Sequence, residues 1–254
     1  MKIITISREF GSGGRELGKR LADVLEFDYY DREIITAIAQ AQGLDENYVE
    51  HALDNHAWQR IPLTYHHSFT SVSVIQTIHT DLLREQRRVL DGIALAGKNC
   101  IIVGQNADIL LRDVKPFTMF VCADMDAKVR RCMERASENE HLSRRQIEQN
   151  IRRIDRNRAQ SREMISDSRW GLGSSYHMTV NTSGWSIKEL TPAVADFARR
   201  WFERTKESQH RENLMKQTQN FTEGRIFAPL VRFALPVLLA LFLQTMYGAV
   251  DLGS

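Results

Sequence analysis

The N-terminus of this 254-residue chain places a short strand, a glycine-rich turn and a helix in direct succession. The β-branched run Ile3–Ile6 predicts a buried strand, and the apolar residues after the turn recur with helical spacing. Backbone N–H groups in such a turn can converge on an anion, and the helix N-terminus adds partial positive charge. Gly11, Gly13 and Gly14 allow the backbone angles that this arrangement requires. The segment therefore predicts a phosphate-binding loop.

The loop departs from the usual GxxxxGK[ST] pattern at its charged position. With Gly11 and Gly13 as the loop glycines, Gly14 takes the place of the lysine. A second register, which ends at Gly18-Lys19, has the right spacing but moves the loop into the helix. We expect arginines beside the glycines to supply the missing charge, because a guanidinium fork suits phosphate. The expected ATP- or phosphate-binding residues are Arg8, Gly11, Ser12, Gly13, Gly14, Arg15, Glu16 and Lys19.

Strand-like and helix-like patterns alternate over the next two hundred residues. Further strand candidates are Phe27–Tyr30, Cys100–Val103, Phe117–Val121 and Met178–Val180, and the last helix candidate is Ile187–Arg204. This alternation predicts an α/β fold of the P-loop NTPase type, with a parallel sheet covered by helices on both faces.

Composition limits the classes of partner. Hydrophobic residues make up 43% and charged residues 26% of the chain, as in ordinary globular proteins. The net charge of +2 is too small to make nucleic acid an expected partner. Cys100, Cys122 and Cys132 form no CxxC pattern, so we expect reduced thiols in a cytoplasmic protein. The histidines form no convincing ligand set, and no metal site is predicted.

Arginines crowd the stretch from residue 144 to residue 162, which also carries Ile147, Ile151 and Ile154 at helical spacing. A charged outer face of a helix explains several of these arginines. It explains Arg156 and Arg158 less well, because the family resemblance described below implies that they lie where a lid would fold over phosphates. Phosphoryl transfer mainly requires positioning and neutralisation of charge, so mobile arginines are suited to it. An RNA-binding surface is the weaker alternative, because aromatic residues are not interleaved with the arginines.

Several segments together resemble the cytidylate-kinase-like family of P-loop nucleoside monophosphate kinases. ITISREFGSGGRELGKRLA and FDYYDREII resemble its start, and CIIVGQNADILLRD is similar to the segment in which a strand ends in Gly-Arg. DAKVRRCMER resembles the helix that leads into the lid, IRRIDRNRAQS the lid exit, and YHMTVNTSGWSIKEL the last strand and helix. The resemblance implies a kinase-like domain over residues 1–205 with a helical lid at about 137–165.

The resemblance implies ATP-dependent phosphorylation of a nucleoside monophosphate, CMP or dCMP first, with ATP and Mg²⁺ as cofactors. Gln105 stands where the family leads us to expect an arginine, and Ser161 and Arg162 stand where an aromatic pair is expected. The implied catalytic residues are Arg15, Arg130, Arg156 and Arg158. The implied acceptor-binding residues are Asp31, Gln105 and Arg131.

Gly14, Gln105 and the tail of the chain favour a second hypothesis. In that hypothesis the domain is a catalytically weak or inactive nucleotide-binding module that regulates a fused or associated membrane transporter.

The tail changes abruptly in character after a polar linker at residues 206–220. The fifteen residues from Pro236 to Val250 would span about 22 Å as a helix, and extension back to Ile226 reaches the roughly 30 Å of a bilayer core. FTEGRIFAPLVRFALPVLLALFLQTMYGAVDL resembles the first membrane helix of a multidrug and toxic compound extrusion transporter. We expect residues 221–254 to be a truncated first membrane segment, which can tether a cytoplasmic domain to the inner face of the membrane through residues 226–250. A buried apolar helix is the alternative.

Overall fold

A computed structural model describes residues 1–46, 49, 69–135 and 142–219 of the chain. The chain divides into two units, Met1–Arg200 and Trp201–Ser254. The strands are β1 (Ile3–Arg8), β2 (Asp28–Tyr30), β3 (Cys100–Val103), β4 (Phe117–Cys122) and β5 (Met178–Asn181). The helices are α1 (Gly14–Leu25), α2 (Arg32–Gln42), α3 (Phe69–Leu95), α4 (Ala107–Leu110), α5 (Met125–Arg135), α6 (Arg144–Ile165) and α7 (Ile187–Gln219).

The five strands form one parallel sheet in the order β2-β3-β1-β4-β5. The central strand β1 pairs with β3 from Ile3–Cys100 to Ile6–Val103, and with β4 on its other side. The chain passes from β3 on one side of β1 to β4 on the other, which makes the carboxyl end of β1 a topological switch point. Ligands bind at such points in open parallel sheets. The predicted α/β fold is confirmed.

Apolar faces of the helices cover the sheet. Ile34 and Ile38 of α2 pack with Leu82 and Leu90 of α3 against Ile102 of β3, and all five side chains are buried. The spacings of four residues in α2 and eight in α3 place each pair on one face of its helix. This packing holds α2, and therefore the residues that precede it, against the edge of the sheet beside β3.

The last helix is longer than the sequence pattern predicts. Helix α7 continues to Gln219, whereas the prediction ends at Arg204. Residues 206–219 contain neither glycine nor proline and are rich in Lys, Glu, Gln and Arg, which favour helix. The polar stretch interpreted as a linker is therefore helical up to residue 219. In the described part of the second unit, the rings of Trp201 and Phe202 pack edge to face at 5.1 Å.

Two predictions fall on parts of the chain outside the described residues. These are the apolar membrane segment at 226–250 and the portion of the predicted lid at 137–141. Within the described residues, no helix combines the length and the apolar character that crossing a bilayer would require. The tethering of the domain to a membrane stays a prediction.

Close packing of α1 on the sheet requires a glycine at position 18. A Cβ at Gly18 would lie 2.8 Å from Cγ2 of Val103 and 3.2 Å from Cδ1 of Ile6. Gly18 is therefore a packing residue, which argues against the register that ends at Gly18-Lys19. We expect Gly18→Ala to lower the free energy of unfolding by about 1–3 kcal/mol, because it overpacks this contact.

Gly92 on α3 provides the matched control for this prediction. A Cβ there meets no described atom within 4 Å, so Gly92→Ala is expected to raise the free energy of unfolding by about 0.5–1 kcal/mol. Urea denaturation of the two variants measures both effects. Equal stability changes of the same sign would contradict the packing argument.

Candidate functional site

The glycine-rich loop follows β1 and ends at the N-terminus of α1. Gly11 and Gly13 have φ angles of 76° and 84°, which lie in the left-handed region. Ser12 is buried, and its hydroxyl donates to the carbonyl of Glu9 at 2.9 Å. A Cβ at Gly13 would lie 2.6 Å from Cδ1 of Ile187. The loop therefore has the backbone geometry expected of a phosphate cradle, and space as well as φ requires glycine at position 13.

The missing lysine at position 14 and Arg8, which ends β1, would occupy the same space. The GxxxxGK pattern counted back from Gly13 puts Arg8 at its first glycine position. A Cβ at Gly14 would lie 2.7 Å from Cβ of Arg8. Any side chain at position 14, lysine included, would overlap Arg8 where it now lies. Arginine at position 8 therefore requires glycine at position 14.

Arg8 extends from the end of β1 past Gly104, the residue that follows β3. Gly104 has a φ of 81°, and a Cβ there would collide with Nη1 of Arg8. Nη2 of Arg8 donates to Oδ1 of Asp31 at 3.2 Å, and the arginine side chain is only 11% exposed. Burial lowers the pKa of Arg8 to about 10; the positive charge of Arg158 adds to this, and Asp31 opposes it. Arg8 is therefore charged at neutral pH.

Two cavities meet beside Arg8. The loop cavity, of about 430 Å³, lies between the glycine-rich loop, α5 and α6, and its lining includes Gly11, Gly13 and Gly14. The Asp31 cavity, of about 70 Å³, lies between the start of α2, the residues after β3, and α6. Arg8, Arg15 and Arg158 line both cavities. This shared wall of three arginines is at the carboxyl end of β1.

The Asp31 cavity has an excess of positive charge. Asp31 pairs with Arg8 and also with Arg15, while Arg32 and Arg158 add two more guanidinium groups to the lining. One carboxylate and four arginines line the cavity, and Arg158 also pairs with Asp155 at 3.7 Å, so the lining keeps an excess of positive charge that suits an anionic ligand.

The far wall of the Asp31 cavity is neutral and polar. Nε2 of Gln86 donates to Oε1 of Gln105 at 2.8 Å, and Nδ2 of Asn106 donates to Oγ of Ser161 at 3.1 Å. Trp170 contributes an aromatic ring to the same lining. Amide, hydroxyl and indole groups can orient a neutral ring with hydrogen-bonding edges.

A buried lysine joins the loop to the lid helix α6. Nζ of Lys128 lies 3.0 Å from Oε2 of Glu9 and 3.4 Å from Oδ2 of Asp155. Oδ1 of Asp155 accepts the backbone N–H of Phe10 at 2.7 Å. Burial raises the pKa of Asp155, although that hydrogen bond and Lys128 oppose the change. This network fixes the start of the loop relative to α6.

A second buried ion pair anchors the end of α6. Nη1 of Arg162 lies 2.5 Å from Oδ2 of Asp108 on α4, and the two side chains are 1% and 3% exposed. Nε of Arg162 donates to Oγ of Ser168 at 3.0 Å, and its guanidinium lies 5.0 Å from the centre of the Tyr176 ring. The departure from the family at Arg162 therefore has a structural role, because it holds α6 beside the loop that follows β3.

The structure brings together most of the predicted site residues. The residues that line at least one of the two cavities are Arg8, Gly11, Gly13, Gly14, Arg15, Asp31, Gln105, Arg131 and Arg158. Arg131 lies on the loop side rather than beside Asp31: its guanidinium donates to the carbonyls of Ser12 at 3.2 Å and Thr182 at 2.8 Å. That position ties the glycine-rich loop to the segment after β5, and it does not support the acceptor-binding role predicted for Arg131.

The other predicted residues lie elsewhere. Lys19, Arg130 and Arg156 are exposed and lie outside the described linings of both cavities. The Glu16 carboxylate pairs with Arg20 at 2.9 Å and with Arg135 at 2.5 Å. Sequence reasoning missed Lys128, Asp155, Gly104, Gln86 and the Arg162–Asp108 pair. Of these residues, Gly104 could have been identified from the sequence, because a glycine directly after an apolar strand often lies at a ligand site.

Together, the sheet order, the loop after the central strand and the arginine-lined cavities define a kinase-like, nucleotide-binding P-loop protein. Residues 3–184 match the cytidylate kinase-like family, and the chain belongs to that family. The family predicted from the sequence is confirmed, and the resemblance of the tail to a transporter stays a prediction. No protein of curated function matches the chain.

Three solved structures are similar to this chain to different degrees. An uncharacterized protein from Eubacterium ventriosum is 21% identical, with a TM-score of 0.58 over 78% of this chain and 99% of that chain. A shikimate kinase from Bacteroides thetaiotaomicron is 14% identical, with a TM-score of 0.48 over 78% of this chain and 98% of that one. A shikimate kinase from Acinetobacter baumannii, solved in complex with shikimate, is 12% identical, with a TM-score of 0.44 over 78% and 92%.

Membership of this family implies the use of ATP and Mg²⁺ in general. The residues of the loop suit the phosphates of ATP better than they suit a directly bound Mg²⁺ ion. The loop geometry and the arginines suit the phosphates of ATP. The carboxylates nearest the loop are all paired with cations: Glu9 with Lys128, Glu16 with Arg20 and Arg135, and Asp31 with Arg8 and Arg15. These carboxylates do not form a direct Mg²⁺ site here. A magnesium ion carried by the nucleotide would be held by phosphate and water oxygens.

Proposed function

We propose that the protein transfers the γ-phosphoryl group of ATP to a nucleoside monophosphate, with CMP or dCMP as the first candidates. The observation that carries this proposal is the shared wall of Arg8, Arg15 and Arg158 between the two cavities. A phosphoryl group that passes from one bound molecule to another needs cations at the point where the two molecules meet.

Each cavity has features that suit one of the two substrates, and the Asp31 cavity, at about 70 Å³, has room for a phosphate group and would have to widen to take a whole nucleotide. The loop cavity is the larger and contains the glycine-rich loop, so ATP would place its phosphates there. The Asp31 cavity combines four arginines with the neutral wall of Gln86, Gln105 and Asn106. A phosphate monoester attached to an uncharged ring system matches both features, and the family resemblance points to cytosine as that ring.

A second candidate function is nucleotide binding without turnover. The ion pairs from Asp31 to Arg8 and Arg15 favour it, because arginines held by a carboxylate must exchange that partner before they can contact phosphate. The absence of a lysine at position 14 points in the same direction.

Release of ADP by the full-length protein with ATP and Mg²⁺ distinguishes the two functions. We expect CMP or dCMP to stimulate turnover into the range of about 1–100 s⁻¹ that is usual for kinases. UMP, AMP and shikimate are the comparison acceptors. Turnover with shikimate alone would contradict a nucleoside monophosphate acceptor. A rise in melting temperature with ATP, together with no stimulated turnover by any acceptor, would establish the binding module instead.

A further inference from the structure

We propose that Arg8 holds the phosphate of the acceptor, in place of the arginine that position 105 lacks; this inference rests on the proposed function. The sequence alone suggests a different role for Arg8, as a contact for the phosphates of ATP beside the glycine-rich loop. Its position in the structure reverses that assignment.

The neighbours of the Arg8 guanidinium show which cavity its charged end faces. Gly104 makes room for Nη1 of Arg8, and Asp31 accepts from Nη2 at 3.2 Å. Both residues line the Asp31 cavity, and neither is in the described lining of the loop cavity. Although Arg8 begins at the end of β1, its charged end therefore lies on the acceptor side.

The residue after Gly104 explains why this charge is needed. Gln105 is neutral, and its Oε1 already accepts a hydrogen bond at 2.8 Å from Gln86, which is buried. Gln105 therefore cannot neutralise a phosphate. Arg8 passes directly over Gly104, the residue before Gln105, and so brings its guanidinium to the side of the sheet where Gln105 lies. A guanidinium can bind a phosphate monoester through two parallel hydrogen bonds.

The glycine-rich loop is adapted to this placement. Because a Cβ at Gly14 would lie 2.7 Å from Cβ of Arg8, the loop cannot hold both this arginine and the usual lysine. The cation that most such loops direct at ATP is thus absent, and a cation directed at the acceptor is present. All three arginines of the shared wall line both cavities, and Arg15 pairs with Asp31 as Arg8 does, so Arg158 is the arginine assigned to the phosphates of ATP.

Binding measurements on the full-length protein test this assignment without requiring turnover. The protein is first saturated with the β,γ-imido analogue of ATP, so that the loop cavity is occupied. CMP and, separately, inorganic phosphate are then titrated by calorimetry. We expect Arg8→Gln to weaken both ligands by about tenfold or more, the usual effect of losing charged hydrogen bonds, and to change the affinity for the analogue by less than about threefold.

Three further variants sharpen the comparison. Gly104→Ala displaces the guanidinium without removing its charge, so it should weaken CMP and phosphate in the same way. Arg8→Lys keeps a charge but loses the fork, and should give an intermediate affinity. Arg84→Gln removes an exposed arginine of α3 that pairs with Asp81 at 3.0 Å, outside the described cavity linings, and serves as the control. Cooperative thermal unfolding of each variant verifies that it folds.

The outcomes separate this inference from the proposed function. Loss of affinity for the analogue in Arg8→Gln, with CMP and phosphate unaffected, overturns the inference and assigns Arg8 to ATP. Arg8-dependent binding of phosphate without binding of any nucleoside monophosphate overturns the proposed acceptor, while Arg8 keeps its role for another phosphate ester. Binding of neither CMP nor phosphate by the unmodified protein overturns both.

Discussion

Replacement of Arg158 by alanine is expected to lower kcat by about a thousandfold, the effect typical of an arginine that neutralises a transferring phosphoryl group. Arg158 lies on α6, lines both cavities, and donates from Nη1 to the carbonyl of Arg8 at 3.0 Å. Among the arginines in the described part of α6, it is the one that lines both cavities. A charge in this position can act on the phosphoryl group during transfer, when negative charge is spread over its oxygens.

Steady-state kinetics with the acceptor that gives the fastest turnover measures this effect. The loss should fall on kcat more than on KM, because the interaction is stronger in the transition state than in the ground state. Arg152→Ala is the matched control, since Arg152 is an exposed arginine of the same helix that pairs with Glu148 at 3.5 Å. A kcat for Arg158→Ala close to that of Arg152→Ala would rule out a role for Arg158 in the transfer.

Replacement of Arg162 by methionine is expected to lower the free energy of unfolding by about 3–5 kcal/mol, because it leaves a buried carboxylate without its partner. Arg162 and Asp108 are almost fully buried, and their pair connects the end of α6 with α4. The double variant Asp108→Leu/Arg162→Met should recover most of the loss, since paired apolar side chains can replace a buried ion pair.

Urea denaturation of the two single variants, the double variant and Arg152→Met gives the coupling energy directly. Arg152→Met is expected to leave stability nearly unchanged, because its ion pair is exposed to solvent. Additive losses in the double variant would contradict the pairing of Arg162 with Asp108. They would also remove the argument that this pair holds the lid helix beside the Asp31 cavity.

Local patterns predicted the sheet well because buried parallel strands are short apolar runs with polar residues on either side. The prediction for Cys100–Val103 has the same bounds as β3. The end of α7 was misjudged because apolar periodicity stops near Phe202, while helix propensity continues to Gln219.

The site was less predictable because its contacts join residues that are far apart in sequence. Lys128 pairs with Glu9, 119 residues away, and with Asp155, 27 residues away. Sequence analysis treats a lysine as solvent-exposed unless its partners are known, because buried lysines are rare. The burial of Lys128 was therefore not predicted. The glycines of the loop carry a local signal, whereas the path of Arg8 to Asp31 depends on where β3 and α2 place Gly104 and Asp31.

The overlap between positions 8 and 14 makes the two cations alternatives in this loop. On this backbone, Arg8 excludes a lysine at position 14, and a lysine there would exclude Arg8. A single substitution of Gly14 by lysine would therefore not restore the common loop, because position 8 would have to change with it. A sequence pattern that demands the lysine overlooks a loop of this kind.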